Sequence, residues 1–381
     1  MANMAFVLQG GKALWSEQLD QRDICVANAI LQDSSTGPVV DASGYVILPG
    51  IVDIHGDGFE RHVAPRRGAV KDLCLGLRKT EHELASNGIT TAVLAQFYSW
   101  EGGMRGPDFA CDMLEAIDEV APTLATDIRV QLRFEYLMQD HWDHVLGLVA
   151  KHKIPYVVLN DHVPHSALSR GKKPPRLVGQ ALKSGRNPEA HLELLKALHE
   201  RKEDVLSALP RLTQALLDQN VLIGSHDDAT AETRRFFHAL GVSISEFPET
   251  REAAECAHEL GSAIIMGAPN MLRGGSHTGN LNAKDILGQG LDALASDYHY
   301  PAPLQCALRL SQDIGFAQAW ALVSKNPARL LGLEDRGILE LGCRADLVIL
   351  CEEDHTLEAT IANGCFTHVT GDFANRLLRA A

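Results

Sequence analysis

The feature that most constrains the fold is a regular alternation of short apolar runs with longer amphipathic runs, which begins after Pro49 and Gly50. The amphipathic runs, such as 112–117 and 192–198, carry apolar residues at helical spacing. Strands that alternate with helices form parallel sheets, and about eight strands close a (β/α)8 TIM barrel. The apolar runs that we assign to barrel strands are 51–55, 89–94, 128–137, 156–159, 221–225, 242–247, 263–266 and 293–297.

Both ends of the chain show a different pattern, in which short strand-like runs are separated by turns. These runs lie at 5–8, 24–30, 45–48, 337–339, 345–350 and 366–370. We predict that residues 1–49 and 335–381 together form a small β-sandwich domain, and that residues 50–334 form the barrel. A doubly wound dinucleotide-binding sheet is the alternative, but no Gly-x-Gly-x-x-Gly motif follows an early strand.

One connection, between Asp161 and Gln219, is much longer than the others, and we treat residues 166–215 as an insertion. It follows a barrel strand, so it should begin at the catalytic face of the barrel. Its cationic residues include Lys172, Lys173, Arg176, Lys183 and Arg186. The insertion is either a solvated helical hairpin or a basic lid over an anionic substrate.

Composition excludes several classes of partner. The chain has 381 residues, with 35 Lys and Arg against 49 Asp and Glu, so its formal charge is −14. General binders of nucleic acid or membrane surfaces need a basic face, and we expect neither partner. No apolar run approaches the roughly 18 residues of a membrane span, and the N-terminus lacks a secretory pattern. The 8 cysteines form no Cys-x-x-Cys pair, which predicts reduced thiols in a cytoplasmic protein.

Histidines and acids recur where the predicted barrel strands end. His55 and Asp57 end the first strand and face the same side of it, because alternate strand residues do so. An imidazole and a carboxylate suit Zn²⁺ or a similar divalent ion. Residues 128–135 alternate apolar and polar, and Glu135 is the last polar one. Glu135 is therefore a candidate metal ligand, with a structural ion pair to Arg133 as the alternative.

Further strands end in the same way, at His162, His226, Glu246 and Asp297. A lone strand histidine is more often a hydrogen-bonded core residue than a ligand, but a barrel gathers its strand ends, which favours a shared site. We expect one or two divalent ions there, zinc first, with manganese and iron as alternatives. Asp297 is our candidate general base. Its alternative roles are metal ligand and helix N-cap.

The glycine-rich loop after the seventh predicted strand is a candidate phosphate site. Backbone N–H groups and a guanidinium suit phosphate oxygens, whereas an irregular loop with a surface arginine is the alternative. The residues that we assign to substrate binding are Asn270, Arg273, Ser276, His277 and His299.

Several of these segments resemble the amidohydrolase superfamily. They are 48–57, 88–91, 326–329 and 342–348. Within that superfamily, segments 225–230, 246–248, 266–280 and 296–298 resemble the family of α-D-ribose 1-methylphosphonate 5-triphosphate diphosphatases of the carbon–phosphorus lyase pathway. The resemblance runs essentially from end to end, and it implies a TIM barrel with a small β domain built from both chain ends.

The resemblance also implies a divalent metal site. His55 and Asp57 would be ligands from the first strand, and Glu135 would be the carboxylate shared between metals. His162 and His226 would be further ligands, and Asp297 the acid of the last strand. Many superfamily members have a second histidine where this chain has Asp57, and a histidine where it has Glu246. The number of metal ions is therefore open.

The implied reaction is hydrolysis of a sugar 5-triphosphate to the 5-phosphate and pyrophosphate. The substrate would be a phosphorylated small molecule, and a homo-oligomer is a further expectation. Two alternatives stay open at this point. One is hydrolysis of an amide, ester or amine on the same scaffold, since fold does not set function. The other is a non-catalytic scaffold that has lost its metal.

Overall fold

A computed structural model describes residues 4–64, 72–274, 281, 283–288 and 290–380. The strands are β1 (Phe6–Gln9), β2 (Lys12–Trp15), β3 (Gln18–Gln21), β4 (Ile24–Ala27), β5 (Ile30–Gln32), β6 (Val39–Asp41), β7 (Tyr45–Pro49), β8 (Ile51–Gly56), β9 (Ile89–Tyr98), β10 (Asp127–Glu135), β11 (Tyr156–Asn160), β12 (Leu222–His226), β13 (Ile244–Glu246), β14 (Ala263–Gly267), β15 (Leu291–Ala295), β16 (Leu347–Cys351), β17 (Leu357–Ala362) and β18 (Cys365–Val369).

The helices between and after these strands are α1 (Glu60–Val63), α2 (Leu73–Ala85), α3 (Pro107–Val120), α4 (Trp142–His152), α5 (His165–Leu168), α6 (Leu177–Lys183), α7 (Pro188–Glu200), α8 (Lys202–Leu217), α9 (Ala231–Ala239), α10 (Arg251–Glu259), α11 (Ala268–Arg273), α12 (Ala302–Ile314), α13 (Phe316–Ala321), α14 (Lys325–Leu330) and α15 (Gly371–Ala380). Short 3-10 helices occupy Gly103–Arg105, Ala121–Thr123, Gln139–His141 and Ala283–Ile286. Within the described residues, no helix is both long enough and apolar enough to span a membrane.

Eight strands, β8 to β15, form one sheet in sequence order, and helices follow each of them. The pairings of β8 with β9, β10 with β11, β11 with β12 and β12 with β13 are all parallel. Strands covered on both faces by side chains or helices read as continuous apolar runs, and every residue of β9 is buried accordingly. The prediction of an eight-stranded (β/α)8 barrel is confirmed, and each of the eight predicted runs overlaps its strand.

Backbone contacts also join the first barrel strand to the segment after the last one. Gly56 forms a parallel bridge with Asp297. The amide of Asp57 donates to the carbonyl of Asp297 at 2.8 Å, and the amide of Asp297 donates to the carbonyl of His55 at 3.0 Å. These bonds bring the backbone of the two strand ends together.

Strands from both chain ends form two further sheets, in the orders β5-β4-β1-β6 and β18-β17-β16-β7-β2-β3. The pairing of β16 with β7 is antiparallel and joins the two ends of the chain directly. Side chains from both sheets share one apolar core, which includes Phe6, Ile47, Leu347 and Phe373. The predicted β sandwich built from both ends is therefore confirmed, while the limits of the two domains stay predictions.

Two of the terminal predictions differ from the structure. The run 24–30 is two strands, β4 and β5, because Asn28 and Ala29 turn the chain with φ of 54° and 62°. The run 337–339 is not a strand, and its apolar character instead reflects the packing of Leu339 in the sandwich core.

The chain divides into two compact units, which we describe separately. The first contains the described parts of residues 1–94, 120–129 and 265–381, and therefore the β sandwich. The second contains residues 95–119 and 130–264. The insertion lies in the second unit and is helical, as α5 to α8.

The second unit contains an ion pair whose two side chains are both fully buried. Arg234 of α9 donates to Asp228 at 3.0 Å, and to the backbone carbonyls of Val242 and Ile244. The hydroxyl of Ser245 also donates to Asp228, at 2.8 Å. These bonds compensate for the loss of hydration and link β12, α9 and β13.

Removal of one partner should destabilise the protein strongly. Replacement Arg234→Leu leaves Asp228 as an uncompensated buried charge, so we expect the free energy of unfolding to fall by about 3–5 kcal/mol. Urea denaturation followed by circular dichroism measures this loss. The matched control is Arg235→Leu, because Arg235 is the exposed neighbour on the same helix.

The double variant Arg234→Leu/Asp228→Leu separates charge burial from general disruption. Because it removes both charges, it should recover part of the lost stability. A single variant that unfolds at the urea concentration of the unmodified protein would contradict this account.

Candidate metal centre

In the first unit, three predicted site residues lie on two backbone segments that are joined by hydrogen bonds. His55 is fully buried in β8, whereas Asp57 and Asp297 are half-buried just beyond β8 and β15. The two backbone hydrogen bonds between these segments set their spacing. Asp297 has a φ of 53°, a left-handed conformation that is uncommon for residues other than glycine. Such backbone strain is concentrated at functional sites.

Asp53, which is not among the residues predicted from the sequence, lies on β8 together with His55. Its carboxylate accepts hydrogen bonds from the amide of Ser296 at 2.9 Å and from the Ser296 hydroxyl at 2.5 Å. Burial raises the pKa of Asp53, and the Ser296 bonds oppose that rise. Asp53 shares the strand face of His55 and Asp57, and this alternation was the signal that could have identified it.

Gly56 lies at the end of β8, in close contact with other side chains. A Cβ atom at Gly56 would lie 2.6 Å from Asp53 Oδ2, 2.8 Å from Ser296 Oγ and 2.8 Å from Tyr300 Cε1. The space is filled by protein atoms, so glycine is required for close packing between β8 and the end of β15.

Two of the predicted phosphate-binding residues, Asn270 and Arg273, form a second group in the same unit. One Arg273 nitrogen donates to Asn270 Oδ1, and another donates to the Tyr298 hydroxyl at 2.5 Å. The Cβ position of Gly267 lies 3.5 Å from Asp297 Oδ2 and 3.8 Å from Asn270 Nδ2. Asn270 and Arg273 therefore lie on the side of the barrel strand where Asp297 is found.

The predicted phosphate-binding residues differ in their exposure and in whether the structure describes them. Arg273 and His299 are exposed, so their polar groups can reach a ligand. Ser276 and His277 lie outside the described residues. Arg61 forms an ion pair with Glu83, and Nε2 of His62 contacts the same carboxylate.

In the second unit, Glu135 is fully buried and holds His162. Its carboxylate accepts hydrogen bonds from the His162 amide at 3.0 Å, from His162 Nδ1, and from Trp100 Nε1 at 3.0 Å. Burial lowers the pKa of His162, but the Glu135 carboxylate more than offsets this effect and raises it above its usual value. Nδ1 of His162 makes the contact with Glu135, so the other ring nitrogen, Nε2, is not the one that faces this carboxylate.

His226 is held by a second buried carboxylate. Its Nδ1 lies 3.0 Å from Glu246 Oε2, and Glu246 also accepts from Gln131 at 2.6 Å and from the Tyr156 hydroxyl at 3.0 Å. Burial is the main cause that lowers the pKa of His226. Arg133 donates to His226 Nε2 at 2.8 Å, which assigns the ring proton to Nδ1.

The sequence leaves two roles open for Glu135, as an ion-pair partner of Arg133 or as a metal ligand. The structure shows which groups the two side chains contact. The guanidinium of Arg133 lies 4.0 Å from the centre of the Phe97 ring and donates to His226. Glu135 instead contacts His162 and Trp100. Both histidines therefore have one ring nitrogen on a carboxylate.

This arrangement can be tested for its fit to a divalent ion. Metal-ligating histidines usually place their second ring nitrogen on a carboxylate or carbonyl, as His162 and His226 do. The imidazole nitrogens and carboxylate oxygens of the predicted ligands are donors that zinc accepts. Within the described ranges, no three His, Cys, Asp or Glu side chains are grouped so that they could hold an ion together. The predicted ligands therefore fit a divalent ion by the chemistry of their donor atoms.

Comparison with known proteins identifies the family. Residues 197–364 match the model of the amidohydrolase family. The chain is 30% identical over 369 residues to the α-D-ribose 1-methylphosphonate 5-triphosphate diphosphatase of Escherichia coli strain K12. That alignment covers 93% of this chain and 95% of the relative.

Solved structures share the fold at low sequence identity. A prolidase complexed with N-methylphosphonate-L-proline superposes with a TM-score of 0.62 at 12% identity, covering 96% of this chain and 100% of that one. The zinc complex of atrazine chlorohydrolase from Arthrobacter aurescens TC1 gives 0.62 at 14% identity, covering 98% and 99%. From the family match and the long alignment with the diphosphatase, we conclude that the chain belongs to the amidohydrolase superfamily and is a metal-dependent hydrolase.

Proposed function

We propose that the protein is a diphosphatase that converts α-D-ribose 1-methylphosphonate 5-triphosphate and water to the 5-phosphate and pyrophosphate, in carbon–phosphorus lyase phosphonate catabolism. The observation that carries the proposal is that the side chains of Asn270 and Asp297 both approach the Cβ position of Gly267, with Arg273 bonded to Asn270. A carboxylate beside an amide and a guanidinium suits water attack on a phosphorus atom whose oxygens need positive partners. The similarity to the diphosphatase of Escherichia coli supports this substrate.

The proposed ligands of the divalent ion are the residues selected from the sequence, and zinc is the proposed metal. They are His55, Asp57, Glu135, His162, His226 and Asp297. A bound divalent ion lowers the pKa of a coordinated water to about 7 and polarises phosphoryl oxygens. Glu246 orients His226 in this proposal, because its carboxylate contacts Nδ1 of that ring.

In the proposed reaction, two residues of the chain have separate roles. Asp297 accepts a proton from the attacking water, which forms a bond to the α-phosphorus. The bond between that phosphorus and the bridging oxygen breaks, and pyrophosphate leaves. Arg273 donates hydrogen bonds to the phosphoryl oxygens as their negative charge increases, with its other contacts to Asn270 and Tyr298 setting its position.

The insertion supplies additional positive charge for such a substrate. Lys172, Lys173, Arg176 and Lys183 are exposed on or between its helices. Exposed cations attract a polyphosphate over a distance set by ionic strength. We therefore keep the basic lid as part of the proposal. The cytoplasmic location and the homo-oligomer stay predictions from the sequence.

The proposed activity can be tested by measuring pyrophosphate release from the ribosyl methylphosphonate 5-triphosphate, with metal content measured on the same sample. Removal of metal by a chelator should abolish release, and Zn²⁺ should restore it. The comparison substrates are an amide, an ester and an amine of similar size. Hydrolysis of one of them with no pyrophosphate release would favour the alternative amidohydrolase activity.

Asp297→Asn should reduce kcat for the triphosphate by about 10²- to 10⁴-fold, because the side chain can no longer accept a proton. Its metal content should stay close to that of the unmodified protein, since the amide oxygen remains a donor. Asp292→Asn is the control, at the opposite end of β15. Full activity of Asp297→Asn would remove the general-base assignment.

Arg273→Met should lower kcat/KM for the triphosphate by roughly 10- to 100-fold through loss of charge-assisted hydrogen bonds. Turnover of an uncharged ester should change much less. The matched control is Arg78→Met, since Arg78 is an exposed arginine on α2. Equal losses on the charged and uncharged substrates would count against a phosphate-binding role.

A further inference from the structure

A buried tryptophan contacts the carboxylate that holds His162. Trp100 is only 2% exposed, and its indole N–H donates to Glu135 Oε2 at 3.0 Å. The same carboxylate binds the amide and Nδ1 of His162. Glu135 thus has three hydrogen-bond donors around it, two from His162 and one from Trp100. The indole N–H is the only one of the three that does not move with His162.

The insertion contacts Trp100 from the other side. Arg186, between α6 and α7, donates from Nη1 to the backbone carbonyl of Trp100. The ring of His191, on α7, lies 5.8 Å from the indole ring, centre to centre, and is fully buried. Trp100 is therefore enclosed by one polar and one aromatic contact from the insertion.

The segment after Trp100 approaches the insertion so closely that two glycines are required. A Cβ atom at Gly102 would lie 2.9 Å from Ser184 Cβ, and one at Gly103 would lie 2.8 Å from the carbonyl oxygen of Lys183. Both glycines also have positive φ, of 73° and 58°. The loop after β9 and the turn after α6 are thus packed backbone to backbone, and this packing sets the position of Trp100.

We propose that Trp100 is a positioning residue for Glu135, and that the insertion, through Arg186, holds Trp100 in place. The proposal rests on the proposed function, in which Glu135 and His162 serve the metal site. It gives residues 183–191 a structural role at the site that is independent of the basic lid. The first role depends on contacts within the protein, whereas the lid depends on exposed charge.

The physical basis is the orientation of a ligand by its neighbours. A carboxylate in a buried site can rotate unless donors hold its oxygens, and loss of such outer partners costs about 10- to 100-fold in metal affinity. Removal of the indole N–H also leaves Glu135 Oε2 with one donor fewer in a buried setting. Both effects predict weaker metal binding without loss of the fold.

The test is a Zn²⁺ titration of the metal-free full-length protein in competition with a chromophoric chelator. Trp100→Phe keeps an aromatic ring and removes the N–H, and it should raise the Zn²⁺ dissociation constant by about 10- to 100-fold. Co²⁺ loading should give an altered visible absorption spectrum. The matched control is Trp142→Phe, because Trp142 is equally buried and donates to the backbone carbonyl of Tyr136 at 2.9 Å.

A second pair of variants tests the contribution of the insertion. Arg186→Met removes the donor to the Trp100 carbonyl, and it should raise the same dissociation constant by a smaller factor. Arg170→Met is its control, since Arg170 is an exposed arginine of the same insertion and donates to the backbone carbonyl of Ser166 at 2.7 Å. This pair also keeps the proposal testable if Trp100→Phe fails to fold.

Glu135→Gln separates failure of this inference from failure of the proposed function. If Glu135→Gln binds Zn²⁺ as tightly as the unmodified protein, the proposed ligand set is wrong. If it binds Zn²⁺ weakly while Trp100→Phe and Arg186→Met bind normally, only the positioning role is overturned. Equal losses in Trp100→Phe and Trp142→Phe would also overturn it, because they would reflect general loss of packing.

Discussion

Two backbone hydrogen bonds, between the Asp57 amide and the Asp297 carbonyl and between the Asp297 amide and the His55 carbonyl, connect the ends of β8 and β15. A sheet that closes on itself has no edge strand with unpaired backbone groups. The Asp53 carboxylate reinforces the connection through Ser296, in a setting where burial raises its pKa. The same hydrogen bonds that join the strand ends also hold the backbones of His55, Asp57 and Asp297 next to one another.

Buried carboxylates have a second role in this protein, which is to orient histidines. Glu135 holds His162 and Glu246 holds His226, each through Nδ1. A fixed Nδ1 contact sets which ring nitrogen carries a proton, and so which one can bind an ion. Glu246 is stabilised in turn by Gln131 and Tyr156. Glu246 thus acts on the neighbouring histidine, His226, through a direct contact between the two side chains.

The insertion connects the loop after β9 to the candidate site as well as carrying exposed charge. Arg186 and His191 enclose Trp100, and Trp100 contacts Glu135. The sequence indicates that the insertion is either a solvated hairpin or a lid. In the structure, one of its surfaces packs against Trp100. Its cationic residues Lys172 and Lys173 are exposed.

The sequence by itself determined the barrel, the sandwich from both chain ends and the strand-end positions of His55, Glu135 and Asp297, because strand and helix periodicities are local properties of the chain. It did not determine which polar groups pair, because partners such as Trp100 and Glu135 lie 35 positions apart. Asp53, Trp100 and the buried Arg234–Asp228 pair were found only in the tertiary structure. Buried polar groups must satisfy their hydrogen bonds with whatever the fold brings near them, and that neighbourhood is set by long-range packing.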